Sequence, residues 1–371
     1  MKRVALVHDW LTGLRGGERV LEVLCRIYPD ADIFTLLHVP GTCGPIIESH
    51  RITTSFLQRL PFAHTRYRNY LPLFPAAIES LDLRSYDLVV STSHAVAKGA
   101  QAAEGARHVS YVHTPMRYVW DQFDVYFGKG RADPLTRAAA HAFAPWLRRW
   151  DVRSTTRANA LVANSRFIAG RIKRAWGREV DAVVYPPVET SKFVPAPDLT
   201  DEEKGPHGYA LVVTALVPYK RVELAVQSFA RLGRRLLVAG DGPGRKRLEA
   251  MAGPSVRFLG SVPHADLAAL YARASFFVLP CEEDFGIAPV EAQAAGRPVL
   301  ALARGGALET VVPEKSGVFF DEPTVDSLIA GIEEIDRLQR DFDPGWIREH
   351  AERFAAPRFE REMRETLARL A

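Results

Sequence analysis

The 371-residue sequence predicts an α/β fold of two domains, each a parallel sheet wound by helices, with the sheets facing across a cleft. Three observations predict it. Short apolar runs alternate with stretches of helical spacing, as in parallel sheets covered on both faces. The first apolar run feeds a glycine turn and then a helix, the opening of a dinucleotide-type (Rossmann-like) unit. The alternation stops at a proline-marked polar segment and starts afresh, and the length suits two domains of roughly 100–200 residues each.

The elements follow in order. Val4–Val7 reads as a buried strand, Leu11–Gly17 as a turn holding Gly13, Gly16 and Gly17, and Glu18–Tyr28 as a helix with Val20, Leu21, Val23, Leu24 and Ile27 apolar. Further strands are expected at Ile33–Leu37, Asp87–Ser91, His108–Val112 and Ala160–Ala163. Pro186, Pro187, Pro195 and Pro197 mark a break, and the polar stretch Pro195–Gly208 reads as a linker. The second half predicts strands at Leu211–Leu216, Arg235–Ala239, Val256–Leu259, Ser275–Leu279 and Pro298–Ala301. Helices are expected between them at Val222–Leu232, Arg245–Met251, Asp266–Arg273 and Pro289–Ala295. The charged tail from about Arg348 to Ala371 reads as helical. The expected domains are 1–190 and 205–349, with a helix over about 350–371 as a candidate to pack back on the first.

Composition narrows the function. A net charge of +4 is well short of a nucleic-acid-binding signature. Three cysteines without CxxC spacing, Cys25, Cys43 and Cys281, argue against a disulfide framework or a zinc site. The apolar run of MKRVALVHDW is too short for a signal peptide, and no stretch approaches the roughly 20 apolar residues of a membrane span. The expected compartment is the cytoplasm, with any membrane association peripheral. One segment favours such association. Between Glu48 and Glu79 no acid occurs, while Arg51, Arg59, Arg66 and Arg68 alternate with Phe56, Phe62, Tyr67, Tyr70 and Phe74. That mixture suits anionic headgroups; the alternative is a packed amphipathic helix with a solvated arginine face.

The strongest chemical signal is PCEEDFGIAPVEAQAAG, residues 280–296. A strand ends at Leu279, a turn carries Glu283, Phe285 and Gly286, and a helix begins near Pro289, a residue suited to a first turn. Free amides of the turn and the positive helix end can hold an anion, and Glu283 and Glu291 can accept hydrogen bonds from sugar and ribose hydroxyls. Lys220, after a strand, is placed to reach phosphate oxygens, with Arg221 beside it. Gly16 and Gly17 allow close backbone approach to a ligand, and Glu18 suits a first helical turn.

Glu283, Phe285, Gly286, Pro289, Glu291, Ala292 and Gly296 resemble the E-x-F-G-x-x-x-x-E signature of family 4 of the retaining glycosyltransferases, which have the GT-B fold. The resemblance extends along the chain through ALVPYKRV (Ala215–Val222), GDGPG (Gly240–Gly244), VANSR (Val162–Arg166) and Gly16-Gly17-Glu18. His113 in YVHTPMRYVWD holds the place of the family's first-domain histidine, with Arg117 four residues on, on one face of a helical turn. The family's additional G-R-L arginine is missing, since that place reads Ala215-Leu216.

The resemblance implies a metal-independent transfer of a sugar with retention. The nucleotide sugar is a substrate, and no cofactor is expected. Lys220, Arg221, Gly17, Gly240 and the Phe285–Ile287 amides would meet the donor, with Glu291 on ribose, Glu283 on the sugar and His113 near the transferred carbon. The acceptor would enter at the first domain, where Arg59, Arg66, Arg68 and Arg117 are candidate contacts. Asp30-Ala-Asp32 and Asp341-Phe-Asp343 do not end apolar strands, which argues against a D-x-D metal site.

YVHTPMRYVWD and ALVPYKRVELAVQSF are most similar to bacterial mannosyltransferases of polysaccharide assembly, implying GDP-mannose as donor and a lipid-diphosphate-linked saccharide as acceptor. UDP-sugars stay open as donors. A sugar-nucleotide epimerase of the same fold would need acid and base groups on both domains, and the E-x-F-G-x-x-x-x-E loop favours transfer. A non-catalytic nucleotide-sugar-binding protein would keep Lys220 and Glu291 but lack His113. An NAD oxidoreductase fits least, since Gly13-x-x-Gly16-Gly17 is not G-x-G-x-x-G.

Overall fold

The computed structural model describes residues 2–128, 133–196, 200 and 207–371. It divides into a first unit of Met1–Pro187 with Phe359–Ala371 and a second of Val188–Arg358.

In the first unit seven strands pair in parallel: β1 (Val4–His8), β2 (Asp32–Thr35), β3 (Ile52–Thr54), β4 (Leu88–Ser93), β5 (Arg107–Val112), β6 (Ala160–Ala163) and β7 (Ala182–Val183). Their order is β3-β2-β1-β4-β5-β6-β7. The direction of winding therefore reverses between β1 and β4, which are in register from Val4↔Leu88 to His8↔Thr92. Continuous apolar runs suit such strands because helices cover both faces. On one face the helix Gly16–Ile27 packs Val20, Leu21 and Leu24 against Leu6, Ile33 and Val90. Phe359, Met363 and Leu367 of the terminal helix join that same core. On the other face Ala5, Val7, Phe34 and Val89 meet Phe74, Ile78 and Trp150. Each such fully buried large side chain contributes about 1.5–3 kcal/mol.

The second unit repeats the plan with β8 (Ala210–Val213), β9 (Leu236–Ala239), β10 (Val256–Gly260), β11 (Phe276–Leu279), β12 (Val299–Leu302) and β13 (Gly317–Phe320). The order is β10-β9-β8-β11-β12-β13, all parallel, with the reversal between β8 and β11. The helices Val222–Leu232 and Val325–Arg337 cover one face, packing Val226, Phe229, Leu328 and Ile332 on Val212, Val238 and Leu300.

Several expectations need correction. The short strands β3, β7 and β13 were not foreseen: the first two are edge strands of three and two residues, and the last opens on a glycine. Residues 49–78 are not one amphipathic helix. They form β3 and a chain of short turns, Phe56–Arg59, Ala63–Arg66 and Tyr67–Leu73, before Phe74–Glu79. Pro61, Pro72 and Pro75 interrupt helical hydrogen bonding, and Phe62 is left-handed at φ +56°. The tail is two helices, Pro344–Glu352 and Ala356–Leu370. Between them Ala355 bridges Val188. Most of the expected linker Pro195–Gly208 lies outside the described residues.

Candidate functional sites at the two switch points

In open parallel sheets ligands bind beyond the strand carboxyl ends where the winding reverses. Each unit places an acid–base pair there.

In the second unit β8 runs into Val217-Pro218 and the short turn Pro218–Lys220, and β11 runs into Cys281–Gly286. Lys220 Nζ donates to Glu283 Oε1 across that reversal. The two side chains are only 14% and 17% exposed, so the pair is poorly screened. Burial opposes the ammonium, but Glu283, with Cys281 and Tyr219 adding, outweighs it and holds Lys220 above the ordinary lysine range. Arg221 follows in the left-handed region at φ +48° and caps the helix Val222–Leu232. Non-glycine residues there cost of order 1–3 kcal/mol and cluster at functional sites.

The loop after β11 is fixed by close backbone contact. Gly306 N–H donates to the Glu283 carbonyl at 2.8 Å, and a Cβ at Gly306 would lie 2.4 Å from Phe285 Cα. Phe285 is buried, with its ring against Phe354 at 5.4 Å. Its side chain anchors the loop. Gly286, at φ +89°, caps the helix Ile287–Ala294, which begins two residues before Pro289. Glu291, in that helix, accepts a hydrogen bond from Tyr271 at 2.8 Å, and Tyr271 is fully buried. Gly240 directly follows β9, where a Cβ would sit 1.8 Å from the Thr214 carbonyl oxygen. Close chain approach alone therefore requires glycine at that position.

In the first unit β1 ends at His8 and runs into Asp9. Asp9 is fully buried and its carboxylate accepts from four successive amides, His94 to Ala97, at 2.7, 2.9, 2.7 and 2.7 Å. It also lies 3.1 Å from His94 Nδ1. Burial raises the carboxyl, but His94, His8 and these amides outweigh it and hold Asp9 below its ordinary value. His8 Nδ1 and Thr92 Oγ1 of β4 are 2.5 Å apart. Glu18, third in the helix Gly16–Ile27, accepts from Arg15 N–H at 3.0 Å and lies 3.7 Å from His8 Nε2.

His113, just after β5, is half-buried, and its Nε2 atom is buried with no hydrogen-bond partner among the described residues. Burial, reinforced by His94 and His8, pushes the imidazole down to about 3. A Cβ at Gly17 would stand 3.6 Å from both His113 Nε2 and His8 Cε1. Gly16 and Gly17 thus open the helix itself, capped by Arg15, and lie past the turn they were read into.

The structure brings Gly17 and His113 together, and Lys220 and Glu283. Residues 113–122 are turns and not helix, so the expected shared helical face for His113 and Arg117 is absent. Pro115 disfavours the helical backbone region for Thr114 before it. Arg117 still acts electrostatically on His94. Arg59, Arg66 and Arg68 are exposed. Arg66 lies over the Phe62 ring and Arg68 over the Tyr67 ring. Sequence reading missed His8, Asp9, His94 and Tyr271. The signal available for the first three was polar residues ending or directly following the two strands that flank the reversal.

Fold and sites together define a protein of two doubly wound units, each with charged groups poised at its switch point. Residues 14–192 match the family model Glycosyltransferase Family 4, and residues 201–351 match Glycosyl transferases group 1. The chain belongs to this glycosyltransferase family.

Among its relatives is a GDP-mannose-dependent alpha-(1-6)-phosphatidylinositol monomannoside mannosyltransferase of Mycolicibacterium smegmatis. It is 31% identical over 192 residues, 45% of this chain and 50% of that protein. A GDP-mannose-dependent alpha-mannosyltransferase of the same organism is 33% identical over 189 residues, 49% of this chain and 48% of that protein. The matched region thus spans about half the length of these curated relatives. Among solved structures, sucrose-phosphate synthase from Thermosynechococcus elongatus superposes with TM-score 0.73 at 19% identity, covering 100% of this chain and 99% of that one. The Anabaena protein HepE in complex with UDP gives 0.71 at 18%, covering 99% and 100%. At such identities these two show the fold.

Proposed function

We infer that this protein transfers a mannosyl group from GDP-mannose to a saccharide acceptor, with retention and without a metal. The observation that carries the reading is the Lys220–Glu283 pair at the switch point of the second unit, inside the E-x-F-G-x-x-x-x-E loop. A preorganised cation beside loop amides stabilises charge developing on a leaving diphosphate. Lys220 and Arg221 would meet the diphosphate with the Phe285–Ile287 amides, Glu291 the ribose and Glu283 the sugar. The GDP-mannose-dependent relatives support the donor.

No carboxylate pair spaced for a glycosyl-enzyme route is assigned, so a front-face route fits better. The acceptor oxygen bonds to C1 as the C1–O bond to phosphate breaks, and the acceptor proton passes to the leaving phosphate. The acceptor we propose is lipid-linked and held by the first unit, in the setting of polysaccharide assembly. Exposed Arg59, Arg66 and Arg68, with Phe56 and Phe62 exposed at 42% and 71%, support a peripheral anionic-membrane contact on the inner face. No helix among the described residues is long and apolar enough to cross a membrane.

A thermal-shift screen against GDP, UDP, ADP and their sugars, with and without EDTA, tests the donor. Stabilisation by GDP and GDP-mannose that survives EDTA is expected. Stabilisation by UDP alone would discard mannose, and a shift abolished by EDTA would discard the metal-free site. Flotation with anionic liposomes tests the membrane contact; absence of binding at low salt would remove it.

A further inference from the structure

We propose that Asp9 and His94 form an acceptor-recognition dyad in the first unit: His94 takes the hydrogen bond of the acceptor's attacking hydroxyl, and Asp9 positions it. The occupant is a saccharide or cyclitol hydroxyl. The inference rests on the transfer reading above for the reaction it serves.

Three observations carry it. The dyad bridges the ends of β1 and β4, the two strands between which the first sheet reverses. That crevice is where a doubly wound sheet binds its ligand. Second, Asp9 is far more rigid than a surface acid. Four backbone amides hold its two oxygens, so its contact with His94 Nδ1 sets the ring's orientation. A fixed carboxylate favours the tautomer with hydrogen on Nδ1, which leaves Nε2 as the acceptor. Third, His94 is 30% exposed beside a fully buried Asp9, so the ring is reachable and its partner is not. The Trp10 ring meets it edge-on at 4.3 Å, and the His113 ring stands 6.3 Å away. A histidine kept only for packing would not need a carboxylate wired to four amides.

Before the transfer step His94 accepts the hydroxyl's hydrogen bond and aligns its oxygen on C1; as that oxygen attacks and the C1–O bond to phosphate breaks, the hydrogen leaves the imidazole for the departing phosphate. The proton ends on the departing phosphate, so the imidazole is unchanged over the cycle. His94 touches substrate in this account, and Asp9 is a positioning residue.

Two readouts test it on the full chain. The first is ¹⁵N histidine NMR with methyl α-mannoside and myo-inositol as probes and no donor present. The His94 Nε2 resonance should move on addition, and Asp9→Asn should shift the tautomer balance and weaken the response several-fold. An Nε2 resonance indifferent to every probe overturns the proposal.

The second compares GDP release from GDP-mannose in water with release accelerated by the same probes. His94→Gln should remove at least tenfold of the acceleration while GDP affinity stays at the wild-type value. Equal loss of acceleration and GDP affinity would show a structural role and overturn the proposal, as would a wild type that hydrolyses donor but is accelerated by neither probe. His94→Asn serves as the second variant if the glutamine fails to fold. An NMR response without any GDP-mannose turnover would sink the transfer reading and leave the dyad standing as a hydroxyl-binding site.

Discussion

Lys220 and Glu283 stand on loops following two neighbouring strands, β8 and β11, and their ion pair closes the switch point of the second sheet. A diphosphate arriving there must share or displace the carboxylate that holds the lysine. Lys220→Ala removes the cation and strands Glu283. Loss of one preorganised donor typically lowers kcat by about 10²–10³-fold. We expect a drop of that order with GDP-mannose, and weaker binding of GDP with guanosine binding little changed. Steady-state kinetics and calorimetry check both; full activity would remove Lys220 from the phosphate site.

Arg221 offers a sharper dissection because its backbone and side chain have opposite consequences. Its φ of +48° is strained for any side chain, and glycine relieves that. Arg221→Gly should stabilise the fold by about 1 kcal/mol, which for a unit of this size raises Tm by about 2–4 °C. The same change removes a guanidinium from the proposed phosphate site, and GDP affinity should fall about tenfold. A variant that is more stable and binds GDP as before would make Arg221 a helix cap and nothing more.

The sheets were legible because parallel strands buried on both faces are written as uninterrupted apolar runs, such as Val4–Val7 and Phe276–Leu279. The edge strands Ile52–Thr54 and Ala182–Val183 lack that signature, since one side meets solvent. In the second unit the charged site was legible because Lys220, Glu283 and Glu291 lie in short contiguous motifs. The first unit's site was not, because Asp9 and His94 are distant in the chain. Only the β1–β4 pairing makes them neighbours, and pairing order is a property of the whole sheet.

Histidine burial gives the protein a predicted acid sensitivity. His113 is held at about 3 and His108 at about 4, both below the ordinary 6.5. As pH falls from 6.5 towards those values the unfolded chain binds protons that the folded chain does not. Stability is therefore full above about 6.5 and declines below it, by up to about 1.4 kcal/mol per pH unit for each such group. His8, His94, Asp9 and Glu18 act on His113. The two acids are held below their ordinary 3.8 and 4.5, so they add a loss only at lower pH. His113→Gln should flatten the fall of Tm between pH 6.5 and 4. An unchanged slope would show that this imidazole is not what titrates.

The nest of amides around Asp9 leads into a short turn, Ala97–Gly99, that a buried ion pair pins down. Lys98 Nζ lies 2.5 Å from Asp151 Oδ1 and donates to the Ala95 carbonyl at 3.1 Å, with 1% and 0% of the two side chains exposed. Trp120 and Trp176 donate their indole N–H groups to the other Asp151 oxygen at 2.8 and 2.7 Å. The carboxylate is thus fully engaged, and the lysine also faces the Trp150 and Trp176 rings. Breaking such a pair leaves an uncompensated buried charge, at a cost of about 3–5 kcal/mol. Asp151→Ala should therefore unfold at markedly lower denaturant. Removing both charges in Lys98→Met with Asp151→Leu should recover part of the loss, leaving the two indole N–H groups as the residual deficit. A double variant no better than Asp151→Ala would mean that the tryptophan hydrogen bonds, and not the lysine, hold the turn beneath Asp9.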